Sequence, residues 1–402
     1  MPSVSIELFA YPWDIVDEGP MRFLDQCADL GVNRVHVAAT YHSGKFLLPR
    51  NRRVKVYFPE PGALYFQPPE QSWSGALEQP VSSLAGTGWL EHLAEYAVAK
   101  QISLSAWTIF FHNSTLGARY PQLTAQNVFG DHYPFALCPS HSDVQDHGLA
   151  LCRSLCSLGF FSAVDLETIG YLGYVHGYHH EVTAVPLGAV EKFLLSLCFC
   201  PACRTGGEAA GIRMEPLASE VRHMLLTRLE HDDAPGGVNE RYEQLAALLV
   251  TCPELLAFVR VRVKTITELV GHLSAAKGTM QLAAFTSSFV GSPSNIWMEG
   301  ISPADLKDLV ECFHLLAYAP SAVDINPDLI FFLTTLKDPD RINLTLNLGL
   351  PMTPTFDQAA AKVAYARRQG IRRFSFFNYG LLGAGRLRWI RDLAVLARET
   401  DK

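Results

Sequence analysis

Short apolar runs alternate with stretches of helical periodicity along this chain, and that alternation most restricts what it can fold into. Strands are read over Ser5–Tyr11, Arg34–Thr40, Ser103–Phe110 and Phe160–Leu166, then over Gln281–Thr286, Phe313–Ala317, Ile342–Leu348 and Phe374–Phe377. Helical patterns follow them at Pro20–Leu30, Leu90–Lys100, Asp143–Ser157, Pro303–Glu311, Pro327–Lys337, Asp357–Gln369 and Leu387–Arg398. Gly31 and Gly370 stop two of these helices, and Pro327 is read at a first helical position. Strand–helix repetition implies α/β architecture with a parallel sheet. No glycine-rich phosphate turn follows the first strand, so the eight pairs predict a closed (β/α)8 TIM barrel, not an open doubly wound sheet.

The repetition is stretched in three places. Loops of unusual length follow strand two (Tyr41–Leu84) and strand three (Phe111–His141), the lengths of pocket walls or lids. After strand four come helical patterns at Leu187–Leu197, Glu215–Leu229 and Val238–Ala275, the last interrupted near Pro253. No linker sets this span apart, although Asp232–Gly237 reads as a turn. The expectation is one barrel domain over 1–402, with a helical elaboration over 181–275.

Composition limits the partners. Hydrophobic residues make up 49% and charged residues 18%, enough for a large core. A net charge of -7 lacks the basic footprint of a nucleic-acid binder and favours a small neutral or modestly charged ligand. The N-terminus lacks a basic stretch followed by a long apolar one, so a secretion signal is not expected. No apolar run approaches the roughly 20 residues of a membrane helix. Nine cysteines in no regular framework suggest reduced thiols and a cytoplasmic protein.

In a barrel of this type the chemistry sits at the C-terminal ends of the strands. The first two strands offer Trp13, Asp14, Tyr41, His42 and Lys45, and strand three offers Trp107, His112 and Asn113. The later strands and their loops add Trp297, Glu299, Tyr318, Asn347, Asn378 and Tyr379. The sharpest feature is Asp165-Leu166-Glu167. Strand alternation turns both acids to the interior, where mutual repulsion favours a proton on one of them and makes Glu167 a general acid. The competing reading is an ion pair with a nearby Arg or Lys, but burying two acids in a barrel mouth adds little stability.

The run Gly159–Glu167 resembles the strand-four signature of family 18 glycosidases, the chitinase-like barrels, and Leu316-Ala317-Tyr318 resembles their strand-six element. Phe160, Ala163 and Ala319 stand where that family carries further Asp residues. The Tyr-His-Ser-Gly loop and the Cys-Phe-Cys-Pro-Ala-Cys run are similar to uncharacterised bacterial glycosidase-like barrels. The resemblance implies a glycoside hydrolase acting on a small or oligomeric saccharide, with no cofactor. Glu167 would be the proton donor, Asp165 its partner carboxylate, and Tyr318 a hydrogen-bonding group at the reacting centre. Strand seven ends without a Glu, so Asp14, Glu299 and Glu7 are further candidates for the second carboxylate. Rings at the strand ends suit the apolar faces of sugars, although each is as well explained by packing.

Two other clusters carry alternatives. His176, His179 and His180, with Glu181 beside them, have the chemistry of a metal-dependent sugar isomerase or lyase, although the spacing matches no ligand motif. The favoured reading is a loop leaning over the pocket, one His of which meets substrate or tunes Glu167. Cys198, Cys200 and Cys203 have half of a zinc-knuckle spacing, needing a distant Cys to complete it, or are plain thiols. The basic residues from Lys45 to Lys55 read as a solvated loop, with Lys45 or Arg50 as an anion contact in the alternative. A non-catalytic saccharide-binding barrel is the third functional class.

Overall fold

The computed structural model describes residues 4–73, 76–177, 180–230, 242–287 and 290–399. The predicted turn at Asp232–Gly237, the start of the pattern at Val238, and His179 lie outside them. The eight strands are β1 (Ser5–Ala10), β2 (Arg34–Ala38), β3 (Ser103–Ile109), β4 (Ala163–Glu167), β5 (Gln281–Phe285), β6 (Cys312–Leu316), β7 (Ile342–Asn347) and β8 (Arg373–Phe377). They close into one parallel barrel in sequence order, with Ser5 of β1 paired to Arg373 of β8. The chain is a (β/α)8 barrel, as the alternation predicts.

The strands form because apolar residues recur at every second position on the helix-facing side, while the barrel interior takes polar and apolar side chains alike. Leu344 and Leu346 face the helices and Asn343 and Thr345 the interior, and all four are buried. Helix Ser142–Leu158 buries Val144, Leu151, Cys152 and Leu155 and ends at Gly159, whose φ of 69° suits a residue without Cβ. Phe160–Ser162 then lie outside the strand, so β4 starts three residues later than the apolar run suggests.

Differences from the sequence reading have local causes. Helix Ala322–Leu336 starts five residues before Pro327, because Ser321 and Asp324 form a reciprocal cap that outweighs the proline signal. Pro327 is therefore inside the helix, not at its first position. The pattern at Pro303–Glu311 yields only Pro303–Leu306. Helix Pro12–Glu18 is too short to show a period. The loop after β2 holds two short antiparallel ribbons, and the loop after β3 a short helix and a hairpin.

The insertion after β4 comprises Ala189–Leu195, Pro201–Ala209, Met214–Leu229, Tyr242–Thr251 and Pro253–Ala276. Its last helix packs on Ser142–Leu158 and buries Leu255, Phe258, Ile266, Leu269 and Leu273. Those residues share one hydrophobic cluster with Leu8 and Val37 of the barrel. Among the described residues no single helix is long and apolar enough to cross a membrane.

Candidate active site

At mid-height the barrel interior is polar. Glu7, His36, Asp165, His314 and Asn343 are all buried. His36 bonds Asp165 through Nδ1 at 2.7 Å and Glu7 through Nε2 at 2.7 Å. Asp165 also meets His314 Nε2 at 3.1 Å, while Asn343 donates to Glu7 at 2.7 Å and Arg373 Nε lies 3.3 Å from it. Burial alone raises a carboxyl, but here partners win. For Glu7 the lowering comes from Arg373 and then His36, and for Asp165 from His36 and His314, so both stay ionised. Burial opposes the charge on His36, but Asp165 and Glu7 raise its pKa. With a carboxylate on each ring nitrogen, His36 is an imidazolium donating both protons. His314 is lowered, chiefly by burial, and serves as a neutral donor. Glu7−, Asp165−, His36+ and Arg373+ thus balance within one layer.

Glu167 lies one step up the same strand, at the C-terminal rim, and faces a cavity of about 380 Å3. Trp107 Nε1 donates to its Oε2. Its pKa is raised to about 7, first by burial and then by the charges of Asp165 and Glu299, against the Trp107 hydrogen bond. The residue after it, Thr168, has φ 54°. A β-branched side chain is strained there, and its carbonyl is held by Phe111 N at 3.3 Å, which pins the turn carrying Glu167.

Glu299 faces the same cavity from the far side of the β5 loop and is also held to about 7 by burial, with Ser287 and the Arg262 charge acting in the opposite sense. Its carbonyl accepts from Tyr171 N at 2.8 Å, which docks this segment on the loop after Glu167. Gly170 permits the approach, since a Cβ there would come within 2.4 Å of that carbonyl oxygen. Arg262 is buried, stacked on Tyr171 with 4.5 Å to the ring centroid.

The remaining wall is aromatic and imidazole. Tyr41, Trp107, Tyr318, Phe285 and Phe377 line one part of it. Tyr41 shares a 2.9 Å hydrogen bond with Tyr11, and burial raises both phenols. Tyr318 is raised by burial and then by the Glu167 charge, so it remains a hydroxyl donor. His42 stacks on His112 at 4.4 Å, and His112 Nδ1 lies 3.0 Å from His176 Nε2. Burial and neighbouring imidazoles lower His112, and His176 falls to about 3, so this pair is neutral at neutral pH.

Eight of the residues singled out from sequence therefore meet at one cavity: Tyr41, His42, Trp107, His112, Glu167, His176, Glu299 and Tyr318. Asp165 is not beside them, because it belongs to the layer below, where its oxygens are taken by His36 and His314. The others have structural employment or are exposed. Trp13 stacks on Tyr11 beneath the β2 loop, and Asp14 packs under Gly380, pushed up to about 7 by burial. Lys45 is exposed. Asn113 caps helix Ser114–Arg119, and Trp297 packs on Phe193. Asn347 and Asn378 accept from Gly349 N and Gly380 N in the turns after β7 and β8. Tyr379 bonds Glu18 and Gln26 and lies under Arg50. His180 is exposed and outside the cavity wall, so His176 is joined there by His112 rather than by its loop neighbour. Sequence reasoning missed His36, His314 and Asn343, although interior polar residues on β2, β6 and β7 were a visible signal.

A hollow of about 1030 Å3 adjoins through His176, but Glu181 is the single acid among its described lining residues. The paired carboxyls make the smaller cavity the candidate active site.

No family model and no curated protein matches this sequence. Solved structures do. The PgaB (BpsB) glycoside hydrolase domain of Bordetella bronchiseptica superposes with a TM-score of 0.61 at 13% identity, covering 98% of this chain and 99% of that one. The catalytic domain of β-amylase from Paenibacillus polymyxa gives 0.58 at 10% identity, with 98% and 99% covered. A β-galactosidase from the psychrophilic Marinomonas ef1 gives 0.56 at 9% identity, and the chain covers 59% of that protein's length. The (β/α)8 fold of this chain is thus one it shares with glycoside hydrolases of several kinds.

Proposed function

We propose that this protein is a glycoside hydrolase in which Glu167 is the general acid and Glu299 the second carboxylate. The observation that carries the proposal is that both acids face one cavity and both keep pKa values of about 7. Their surroundings separate the roles. Glu167 feels the negative charges of Asp165 and Glu299, which favour a proton on it. Glu299 feels the Arg262 cation, which favours its ionised form. One protonated and one ionised carboxyl across a cleft is what glycosidic cleavage requires. Glu167 gives its proton to the departing oxygen, and Glu299 acts on the anomeric carbon directly or through water. Asp165 positions Glu167 from below and does not touch the substrate.

The walls suit a sugar. Trp107 and Phe377 offer flat apolar surface, Tyr318 and His112 offer neutral hydrogen-bonding groups, and the His42 ring lines the same wall. The cavity size supports a short saccharide unit. Sharing a fold with the PgaB domain, β-amylase and β-galactosidases is in keeping with this reading.

The test is turnover of a panel of aryl glycosides and oligosaccharides by wild type and Glu167→Gln, with and without EDTA. The expected result is hydrolysis that survives EDTA and falls by about 10²–10⁴-fold in the variant. Saccharide binding without turnover on any member would refute catalysis, and activity abolished by EDTA while the fold and melting temperature stay unchanged would refute the carboxylate mechanism.

A further inference from the structure

Four of the nine cysteines gather at one point outside the cavity. Cys138 comes from the end of the hairpin after β3, and Cys198, Cys200 and Cys203 from the insertion after β4. Cys138 Sγ lies 3.4 Å from Cys203 Sγ and 3.7 Å from each of Cys198 and Cys200. All four sulfurs fall within 4.8 Å of one another, and all four residues are buried. These separations are far longer than a disulfide bond. A tetrahedron of sulfurs about 2.3 Å from a central zinc has edges of about 3.8 Å, close to what is seen. The other five cysteines lie elsewhere in the fold and form no such group among the described residues.

The local backbone suits a metal site. Cys200 occupies the N-cap position of helix Pro201–Ala209 and Cys203 lies in its first turn, where the unpaired amides and the helix dipole attract negative charge. Pro201 at the first helical position pre-sets that turn. Gln126 N donates to Cys198 Sγ at 3.3 Å, and Ser140 Oγ lies 3.2 Å from Cys203 Sγ. Polar partners of this kind are the outer support that metal-bound sulfur needs.

We infer that Cys138, Cys198, Cys200 and Cys203 form a structural zinc site that clamps the hairpin after β3 to the insertion after β4. With four protein ligands the ion has no open position, so it does no chemistry on substrate. Its effect on the cavity is indirect. The Cys138 hairpin carries His112 through a bridge to Ala136 and the 2.9 Å bond from Asn113 N to Phe135 O. Ser140, two residues beyond Cys138, bonds Tyr171, whose amide holds Glu299. The clamp therefore braces both walls of the cavity from behind. It stands whether or not the protein cleaves sugars.

The test is elemental analysis of the full chain purified without chelator, with zinc in the growth medium. Roughly one zinc per chain is expected. Cys200→Ser and Cys203→Ser should lose it and melt several degrees lower, while Cys156→Ser, outside the cluster, should keep it. Because the cluster variants risk misfolding, wild type is also treated with an organomercurial and the released zinc counted with a dye. Cobalt in place of zinc should give the charge-transfer absorption of a tetrahedral thiolate site. Wild type with under a tenth of an equivalent of metal, a disulfide within the cluster, or iron in place of zinc would each overturn the assignment.

Discussion

Asp165 and Glu167 are two residues apart on one strand, both turned into the barrel, yet the structure treats them oppositely. Asp165 is sealed at mid-height between His36 and His314 and stays ionised. Glu167, at the rim, has an indole donor and two negative neighbours, and its carboxyl is held near neutrality. Burial acts on both in the same sense, so partners decide the outcome. The lower layer is a charge-balanced network, whereas in the upper one burial outweighs the indole donor on Glu167 and the Arg262 charge on Glu299, and both carboxyls are held near 7.

The hardest way to break this contrast is Asp165→Ala. It leaves His36 buried as an imidazolium with one partner gone, and the expected cost is about 3–5 kcal/mol of stability. Urea unfolding should show it, and a variant as stable as wild type would mean the layer is not ionised. Next is Glu299→Gln. Activity should fall by about 10²–10⁴-fold. The residual kcat/KM should lose its alkaline limb at lower pH than wild type, because Glu167 no longer feels that charge. An unmoved limb would show that the two acids do not interact.

The smallest effect is on stability against pH. Glu167 and Glu299 are held at about 7 against an ordinary 4.5, so the folded state binds more protons than the unfolded one between those values. The contribution of these two carboxyls should therefore decline as pH rises from 4.5 to 7 and then level off, against the opposite contribution of the buried neutral His112, His176 and His314, whose lowered pKa values add stability as pH rises toward 6.5. Asp165 and Glu7, both depressed, contribute in the opposite sense: their stabilisation is present above pH 4 and lost as pH falls through their folded values. Glu167→Gln should remove its share of that decline and gain up to about 3 kcal/mol above pH 7, measured by thermal melts across pH. No gain would mean that Glu167 is not destabilised by its site.

The barrel was legible because eight apolar runs and their helices each announce themselves locally. Interior Trp107, Glu167 and Tyr318 could be placed from strand ends alone. What escaped was the depth of each residue along the barrel. Asp165 and Glu167 look equivalent in sequence, and only the rings arriving from β2 and β6 make one structural. Glu299 stood among many acids, and its importance depends on the docking of Tyr171 and the absence of a Cβ at Gly170. Asn347, Asn378 and Tyr379 sit at strand ends as the rule requires, but turn geometry and Arg50 consume them. The fourth cysteine of the cluster lies sixty residues from its partners, a distance that spacing rules do not span.

Infrared titration of the carboxyl groups tests the central contrast most directly. Difference spectra of wild type against Glu167→Gln should contain a protonated-carboxyl band at pH 5 that disappears with a midpoint near 7. Wild type against a folded Asp165→Asn should contain no protonated-carboxyl band assignable to Asp165 at that pH. A Glu167 band already absent at pH 5, or an Asp165 band present there, would contradict the account.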